Sequence, residues 1–216
     1  MSHLTRQEVP TKWPIERKGT AYIVKPKFST QEGVPLLIIL REMLDLAQNR
    51  REAKRIIHSK QILINQKVAK EEKNTVMFLD TVTVVPSKKN YRLQLSEKGR
   101  FYLNEIEESE AKKKISKIIN KTMLKGKKLQ LNLNDGRNFL SDIKAKVNDS
   151  LIVNFKENKI EKCLPFKEKA KVIVFSGKHI GKEGEIVQID QEKKMAKVKS
   201  EDKEINILIN QLIVTE

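Results

Sequence analysis

Basic side chains recur at helical spacing in Asn49-Arg50-Arg51-Glu52-Ala53-Lys54-Arg55-Ile56-Ile57-His58. At about 100° per residue, Arg50, Arg51, Lys54, Arg55 and His58 share one arc, and Ala53, Ile56 and Ile57 occupy the opposite one. Cations about one turn apart on a rigid element suit the phosphates of a nucleic-acid backbone. A merely solvated face usually mixes signs to limit repulsion. Here only Glu52 interrupts, and it lies between the two arcs. A second concentration runs from Lys112 to Lys128, with eight lysines and no acidic residue: Lys112, Lys113, Lys114, Lys117, Lys121, Lys125, Lys127 and Lys128. Excluding every acid goes beyond what solubility requires.

Residues for bond-making chemistry are scarce. His3, His58 and His179 are far apart and lack a neighbouring carboxylate, which argues against a triad or a metal site. Cys163 is the only cysteine. It permits no intrachain disulfide and no Cys-based zinc site, and reads as a small buried hydrophobe. No glycine-rich loop of the Rossmann or P-loop type appears. Asp135-Gly136-Arg137 superficially resembles the catalytic motif of a pseudouridine synthase but reads as a hairpin turn. No catalytic residue, cofactor, metal or small-molecule substrate is therefore expected, and the chain reads as a binding protein rather than an enzyme.

Charge supports the same partner. The chain of 216 residues has 44 Lys plus Arg against 28 Asp plus Glu, a formal net charge of +16. Such a surplus calls for a polyanion. No apolar run reaches the ~18 residues of a membrane span, and the first ten residues lack the apolar core of a signal peptide. A cytoplasmic protein with no membrane partner is expected. Low apolar content, 38%, fits several small cores better than one large core.

Punctuation suggests four segments. Residues 1–33 hold 6 basic and 3 acidic residues, +3; residues 34–87 hold 9 and 6, +3; residues 88–165 hold 19 and 10, +9; residues 166–216 hold 10 and 9, +1. Over half of the surplus is therefore central, and the last segment cannot bind through bulk charge.

Pro10, Pro14 and Pro26 break residues 1–33 into an extended arm with neither helical nor strand period. Trp13 among Lys12, Arg17 and Lys18, and Tyr22 before Lys25 and Lys27, either stack on unpaired bases or pin the arm to its own domain. In residues 34–87, Pro35 suits a first helical position. Leu36, Leu40, Met43, Leu44 and Ala47 then form one apolar stripe. Asn49 is an N-cap with Glu52 in capping position for the basic helix. Short strands follow over Gln61–Val68, Val76–Leu79 and Val82–Val85. Two helices and a small sheet make a compact module, with Arg41, Lys60 and Lys67 as further contacts.

Residues 88–165 form a mixed, β-rich domain. A hairpin is expected from Tyr91–Leu95 and Phe101–Leu103. A helix is expected from near Ser109 to Asn120, burying Ala111, Ile115, Ile118 and Ile119, with acids leading and lysines following as its dipole favours. Alternation from Leu129 to Asp135-Gly136 predicts another hairpin, placing Arg137 beside its turn, and Leu151–Phe155 a further strand. Residues 166–216 carry five short strands and suggest a small barrel. Gly177, Gly181 and Gly184 allow a tight loop where backbone approaches a partner, with Lys178, His179 and Lys182 as its contacts.

Several of these stretches resemble known families. Asn49–Ile57 followed by Ile62-Leu63-Ile64-Asn65 resembles the S-four-type RNA-binding module, a Ser/Asn-Arg-x-Glu-Ala helix and a Val-x-Val-Asn-Gly strand. Where that module often has glycine, this chain has Lys60 or Gln61 and Gln66. A side chain in a left-handed turn costs on the order of 1 kcal/mol, so the turns are expected to be reshaped. The loop at Gly177–Gly184 resembles the KOW motif of ribosomal and transcription-elongation proteins. Gly126–Asn138, Lys12-Trp13-Pro14-Ile15, Val34-Pro35-Leu36-Leu37 and Pro165-Phe166 resemble signatures of the archaeal and eukaryotic small-subunit ribosomal family S-four-e, in that family's order.

The resemblance implies a structural constituent of the small ribosomal subunit that clamps rRNA beside neighbouring ribosomal proteins. The short C-terminus fits the archaeal form. The alternatives are a non-ribosomal KOW-type transcription or RNA-chaperone factor and an RNA-modifying enzyme. The expected fold is α+β and multi-domain: an arm (1–33), an S-four-type module (34–87), a central β-rich domain with one helix (88–165) and a small SH3-like KOW barrel (166–216).

Overall fold

The computed structural model describes residues 3–126, 128–141, 143–200 and 203–215. They divide into two compact units, residues 1–112 and 113–216. The fold is β-rich with few helices.

In the first unit, β1 (His3–Thr5) pairs antiparallel with β2 (Tyr22–Val24), and a 3-10 turn spans Arg6–Glu8. The arm is therefore folded back on itself, although its sequence shows no strand period. Long-range contacts account for this. Arg6 Nε donates to Thr20 O at 2.7 Å. Trp13 is 2% exposed and donates its indole N–H to Thr30 O at 3.1 Å. Burying an indole while meeting its single donor anchors an otherwise irregular segment.

Next, β3 (Gly33–Pro35) pairs with β6 (Thr75–Met77). Between them lie α1 (Leu36–Ile38), a π-helical turn (Ile39–Met43) and α2 (Arg50–His58). The first helix is shorter than its apolar stripe implies. Leu36, Leu37, Ile38, Ile39 and Leu40 are all buried, so this turn is enclosed on every side rather than along one face. Asp45, at φ 50°, lies beyond its end, which leaves the buried Ala47 outside the helix. The expected cap on α2 is present. Asn49 Oδ1 accepts from Glu52 N at 3.0 Å, and Glu52 Oε2 accepts from Gln48 N at 2.8 Å.

A five-stranded antiparallel sheet completes the unit, in the order β5 (Lys67–Val68), β4 (Ile62–Ile64), β7 (Thr81–Val84), β8 (Lys89–Leu95), β9 (Phe101–Ile106). The pairing of β7 with β8 carries this sheet across residue 87. Its turns keep left-handed backbone without glycine: Lys60 has φ 58°, Asn65 48° and Gln66 63°. Asn65 is held there by buried partners, donating to Asp80 Oδ1 at 2.7 Å and accepting from Thr81 N at 2.9 Å. Such bonds offset the steric cost of the left-handed conformation. A single helical turn, α3 (Glu108–Ala111), ends the unit.

The second unit corrects the expected helix over Ser109–Asn120. After α3 the chain enters β10 (Lys113–Met123), an 11-residue strand. It is the centre of a sheet ordered β12 (Asn138–Leu140), β11 (Leu129–Leu133), β10, β13 (Ser150–Asn154), β14 (Lys159–Leu164). The Ile and Lys spacing fits a helix, but β-branched Ile115, Ile118 and Ile119 lose side-chain freedom there. Partner strands on both sides then decide the matter. A register shift between Ile118 and Asn120 resets which residues face inward. Ile118 is fully buried, whereas Ile119 is 57% exposed.

The second sheet is ordered β18 (Lys203–Leu208), β17 (Met195–Ser200), β16 (Glu183–Asp190), β15 (Lys171–Val174), β19 (Leu212–Val214). Each sheet has its own core. Ile118, Leu131, Leu133, Leu151 and Val153 form one, and Val172, Val174, Ile186, Val198, Leu212 and Val214 form the other.

Candidate nucleic-acid interface

Helix α2 is amphipathic as its sequence implies. Ala53 and Ile57 are buried and Ile56 is partly buried, while Arg50, Arg51, Lys54, Arg55 and His58 are exposed or partly so. One partner was invisible from the helix alone. Glu72, only 6% exposed, sits beneath it and accepts from Arg50 through Nε at 3.0 Å and also through Nη2. Lys54 Nζ lies 3.5 Å from its other oxygen. A cleft lined by Arg50, Lys54, His58, Lys70, Glu72 and Lys73 opens here. Lys70 and Lys73 were missed because the acids between them, Glu71 and Glu72, cancel their charge in the sequence. Among the described residues Arg51 and Arg55 make no ion pair, so their guanidiniums are open to an outside anion.

Glu72 ties two helical cations to the turn that follows β5. Glu72→Gln should therefore cost about 1–2 kcal/mol, since the amide still accepts from Arg50 but no longer offsets two positive charges. Urea denaturation checks this. A midpoint equal to the wild type would mean that these pairs contribute as little as fully exposed ones.

Elsewhere in the first unit the expected contacts divide. Trp13 is withdrawn into the core and cannot stack on a base. Lys12 is half-buried, and desolvation lowers its pKa. Arg17, Lys18 and Lys25 are exposed. Lys27 is paired with Glu71 at 2.7 Å, and Arg41 with its neighbour Glu42 at 2.6 Å. Lys60 and Lys67 are exposed at the ends of the β4–β5 hairpin. Tyr22 is 60% exposed, with His3 edge-on to its ring at 4.6 Å. Arg6 and Arg100 join Trp13, Arg17 and Lys98 around a second cleft. These added cations are scattered in sequence and form no run.

The lysine block is divided by its strand. Lys112 pairs with Glu108 at 2.8 Å and Lys113 with Glu161 at 2.7 Å. Two lysines contradict the expectation of an outward face. The Lys114 side chain is 1% exposed, 3.5 Å from the similarly enclosed Asp135. Lys117 is 3% exposed and donates to Leu212 O at 2.8 Å and to Ile209 O. Burial pushes the Lys117 pKa down to about 7, because an ammonium loses its hydration there. Arg137 is likewise occupied, 3.7 Å from Asp135 and 4.3 Å above the Phe155 ring. Lys125 and Lys128 are exposed at the β10–β11 tip and Lys121 is partly exposed. Lys127 lies outside the described residues.

In the β15–β16 loop, Lys178 is exposed and His179 and Lys182 are partly exposed. Gly177 and Gly181 adopt φ 90° and 83°, and Gly181 N donates to Val174 O at 2.8 Å. Gly184 has a different role from the one expected. It lies within β16, where an added Cβ would sit 2.3 Å from Lys199 O. Its glycine is required by the approach of β17, not by an outside partner.

Comparison with known proteins agrees with this architecture. Residues 87–160 match the model of ribosomal family S4e. The chain is 38% identical to the small ribosomal subunit protein eS4 of Methanothermobacter thermautotrophicus, over 87% of this chain and 79% of that one. It is 36% identical to the eS4 protein of Methanosphaera stadtmanae, over 95% and 88%. The crystal structure of the 30S ribosomal protein S4e from Thermoplasma acidophilum superimposes with a TM-score of 0.73 at 26% identity, covering 85% of this chain and 94% of that one.

Proposed function

The chain belongs to the ribosomal S4e family, and from that membership we propose that it is a structural constituent of the small ribosomal subunit. It is not an enzyme. It binds small-subunit rRNA beside neighbouring ribosomal proteins in the cytoplasmic ribosome. The observation that carries RNA contact is the outward cation face of α2, with Arg51 and Arg55 outside any ion pair among the described residues. We read α1 to β7 as an S4-type RNA-binding module and residues 166–216 as a KOW-type SH3-like barrel. Arg17, Lys18 and Lys25 on the arm, α2, the β10–β11 tip and the loop at Lys178 would then hold separate stretches of rRNA. Weak contacts joined in one chain reinforce each other through effective concentration.

The untagged protein should co-sediment with small subunits in a sucrose gradient at near-stoichiometric amounts. Recovery only from the soluble fraction, or with RNA polymerase, would refute the ribosomal reading in favour of a transcription or chaperone factor.

A further inference from the structure

The hairpin sheet of the second unit has a face that charge does not explain. Asn120, Asn132 and Asn138 are in register across β10, β11 and β12, and Thr122, Gln130 and Leu140 form the next row. The intervening Leu131 and Leu133 point into the core. Strand alternation therefore places the Asn, Thr and Gln side chains together on the opposite side. Asn120, Thr122 and Asn138 are exposed, and Gln130 and Asn132 partly so. Gln130 Nε2 donates to Asn132 Oδ1 at 2.8 Å, and Asn132 Nδ2 to Thr122 Oγ1 at 3.2 Å. These bonds hold the central groups in place. They leave the Asn138 amide and the Asn120 NH2 open, while Asn120 Oδ1 accepts from Lys121 N at 2.8 Å.

This face sits in positive surroundings. No Asp or Glu occurs from Lys113 to Asn134, and Lys125 and Lys128 stand exposed at the adjoining tip. A polyanion is the complementary partner. A phosphate-binding surface would carry cations on the face itself, and these are displaced to its end. Amides and hydroxyls both donate and accept, which matches a ribose 2′-hydroxyl and the edges of bases. A-form RNA displays those groups in a wide, shallow minor groove that admits a flat surface. A protein-binding face would have an apolar centre, whereas here the exposed Leu140 ends the second row on the edge strand β12 and the exposed Ile119 sits at the register shift beside Asn120.

We propose that the Asn120–Asn132–Asn138 face of β10–β12 contacts the minor groove of a double-helical rRNA segment, with Lys125 and Lys128 meeting the flanking phosphates. The proposal rests on the rRNA-binding reading above and deepens it.

Asn120→Ala with Asn138→Ala removes two exposed amides without changing charge, and the urea midpoint should stay at the wild-type value. Affinity for small-subunit rRNA should fall about tenfold, two modest hydrogen bonds' worth, with the slope of log affinity against log salt unchanged. Lys125→Gln with Lys128→Gln should instead reduce that slope by about 1.8. Replacing 2′-hydroxyls with hydrogen along the bound RNA helix should weaken the wild type more than the double amide variant, which keeps only Asn132, Thr122 and Gln130 on this face. A photo-crosslinker at position 138 in assembled subunits should capture RNA. Unchanged affinity of the amide variant, or capture of a protein at position 138, would overturn the proposal. Failure of the wild type to bind rRNA at all would overturn the parent reading, and it shows before any variant is compared.

Discussion

Arg51→Gln combined with Arg55→Gln should lower affinity for small-subunit rRNA about 50-fold near 0.1 M salt. The slope of log affinity against log salt should fall by about 1.8, because each phosphate that an arginine neutralises contributes roughly 0.9 to that slope through counterion release. Both side chains are exposed on α2, one turn apart, and neither has an ion-pair partner among the described residues. Glutamine retains helix propensity, and the buried Ala53 and Ile57 are untouched, so the urea midpoint should hold. Filter binding or fluorescence anisotropy over a salt series measures both quantities. Wild-type affinity and slope in the double variant would show that α2 faces solvent or protein in the subunit, leaving the Lys125–Lys128 tip as the principal electrostatic contact.

The second large effect concerns stability. Lys117 is buried by its second-unit neighbours, with its pKa lowered from 10.5 to about 7. The sign follows from proton uptake. Between pH 7 and 10.5 the unfolded lysine is protonated and the folded one mostly is not, so the unfolded state binds more protons and stability rises with pH. Below pH 7 the full cost of burying the ammonium applies, and above 10.5 it vanishes. From pH 7 to pH 9 this one group should add about 2 kcal/mol to stability. The neutral amine still has two hydrogens for the carbonyls of Ile209 and Leu212.

Lys117→Met removes the titration and leaves both carbonyls without this donor, at a cost of a few kcal/mol. Its deficit relative to the wild type should therefore grow by about 2 kcal/mol between pH 7 and pH 9, as read from urea denaturation at the two values. Subtracting the variant cancels the titration of the other lysines. A deficit that is the same at both pH values would mean that Lys117 keeps its charge in the folded protein.

Much of the local structure was legible in the chain. Asn49 and Glu52 announced the start of α2, because a side-chain acceptor for the orphan N–H groups is a local requirement. Asp135-Gly136 announced the β11–β12 turn, where Gly136 adopts φ 78°. The missing glycines at Lys60 and Gln66 did not change the handedness of their turns. The backbone remains left-handed there, and the buried network beside it joins Asn65 to Asp80, 15 residues away in sequence, and to Thr81.

The misreadings share one cause. β10 has a sequence period compatible with either a helix or a bulged strand, and pairing to β11 and β13 selected the strand. The same pairing turned Lys114 and Lys117 inward, so a run that reads as eight equivalent lysines holds two buried groups. Trp13 could have served RNA or the core from its sequence alone, and Thr30 O, 17 residues away, assigns it to the core.

Alone, the sequence determined that a polyanion is the partner and that one helix face is cationic. Net charge and side-chain spacing along a helix are properties of covalent order and survive any packing. Only the tertiary structure decided which cations remain free to meet RNA. Glu72 holds Arg50 and Lys54 while Arg51 and Arg55 stay open, because an ion pair depends on proximity between segments that are distant along the chain.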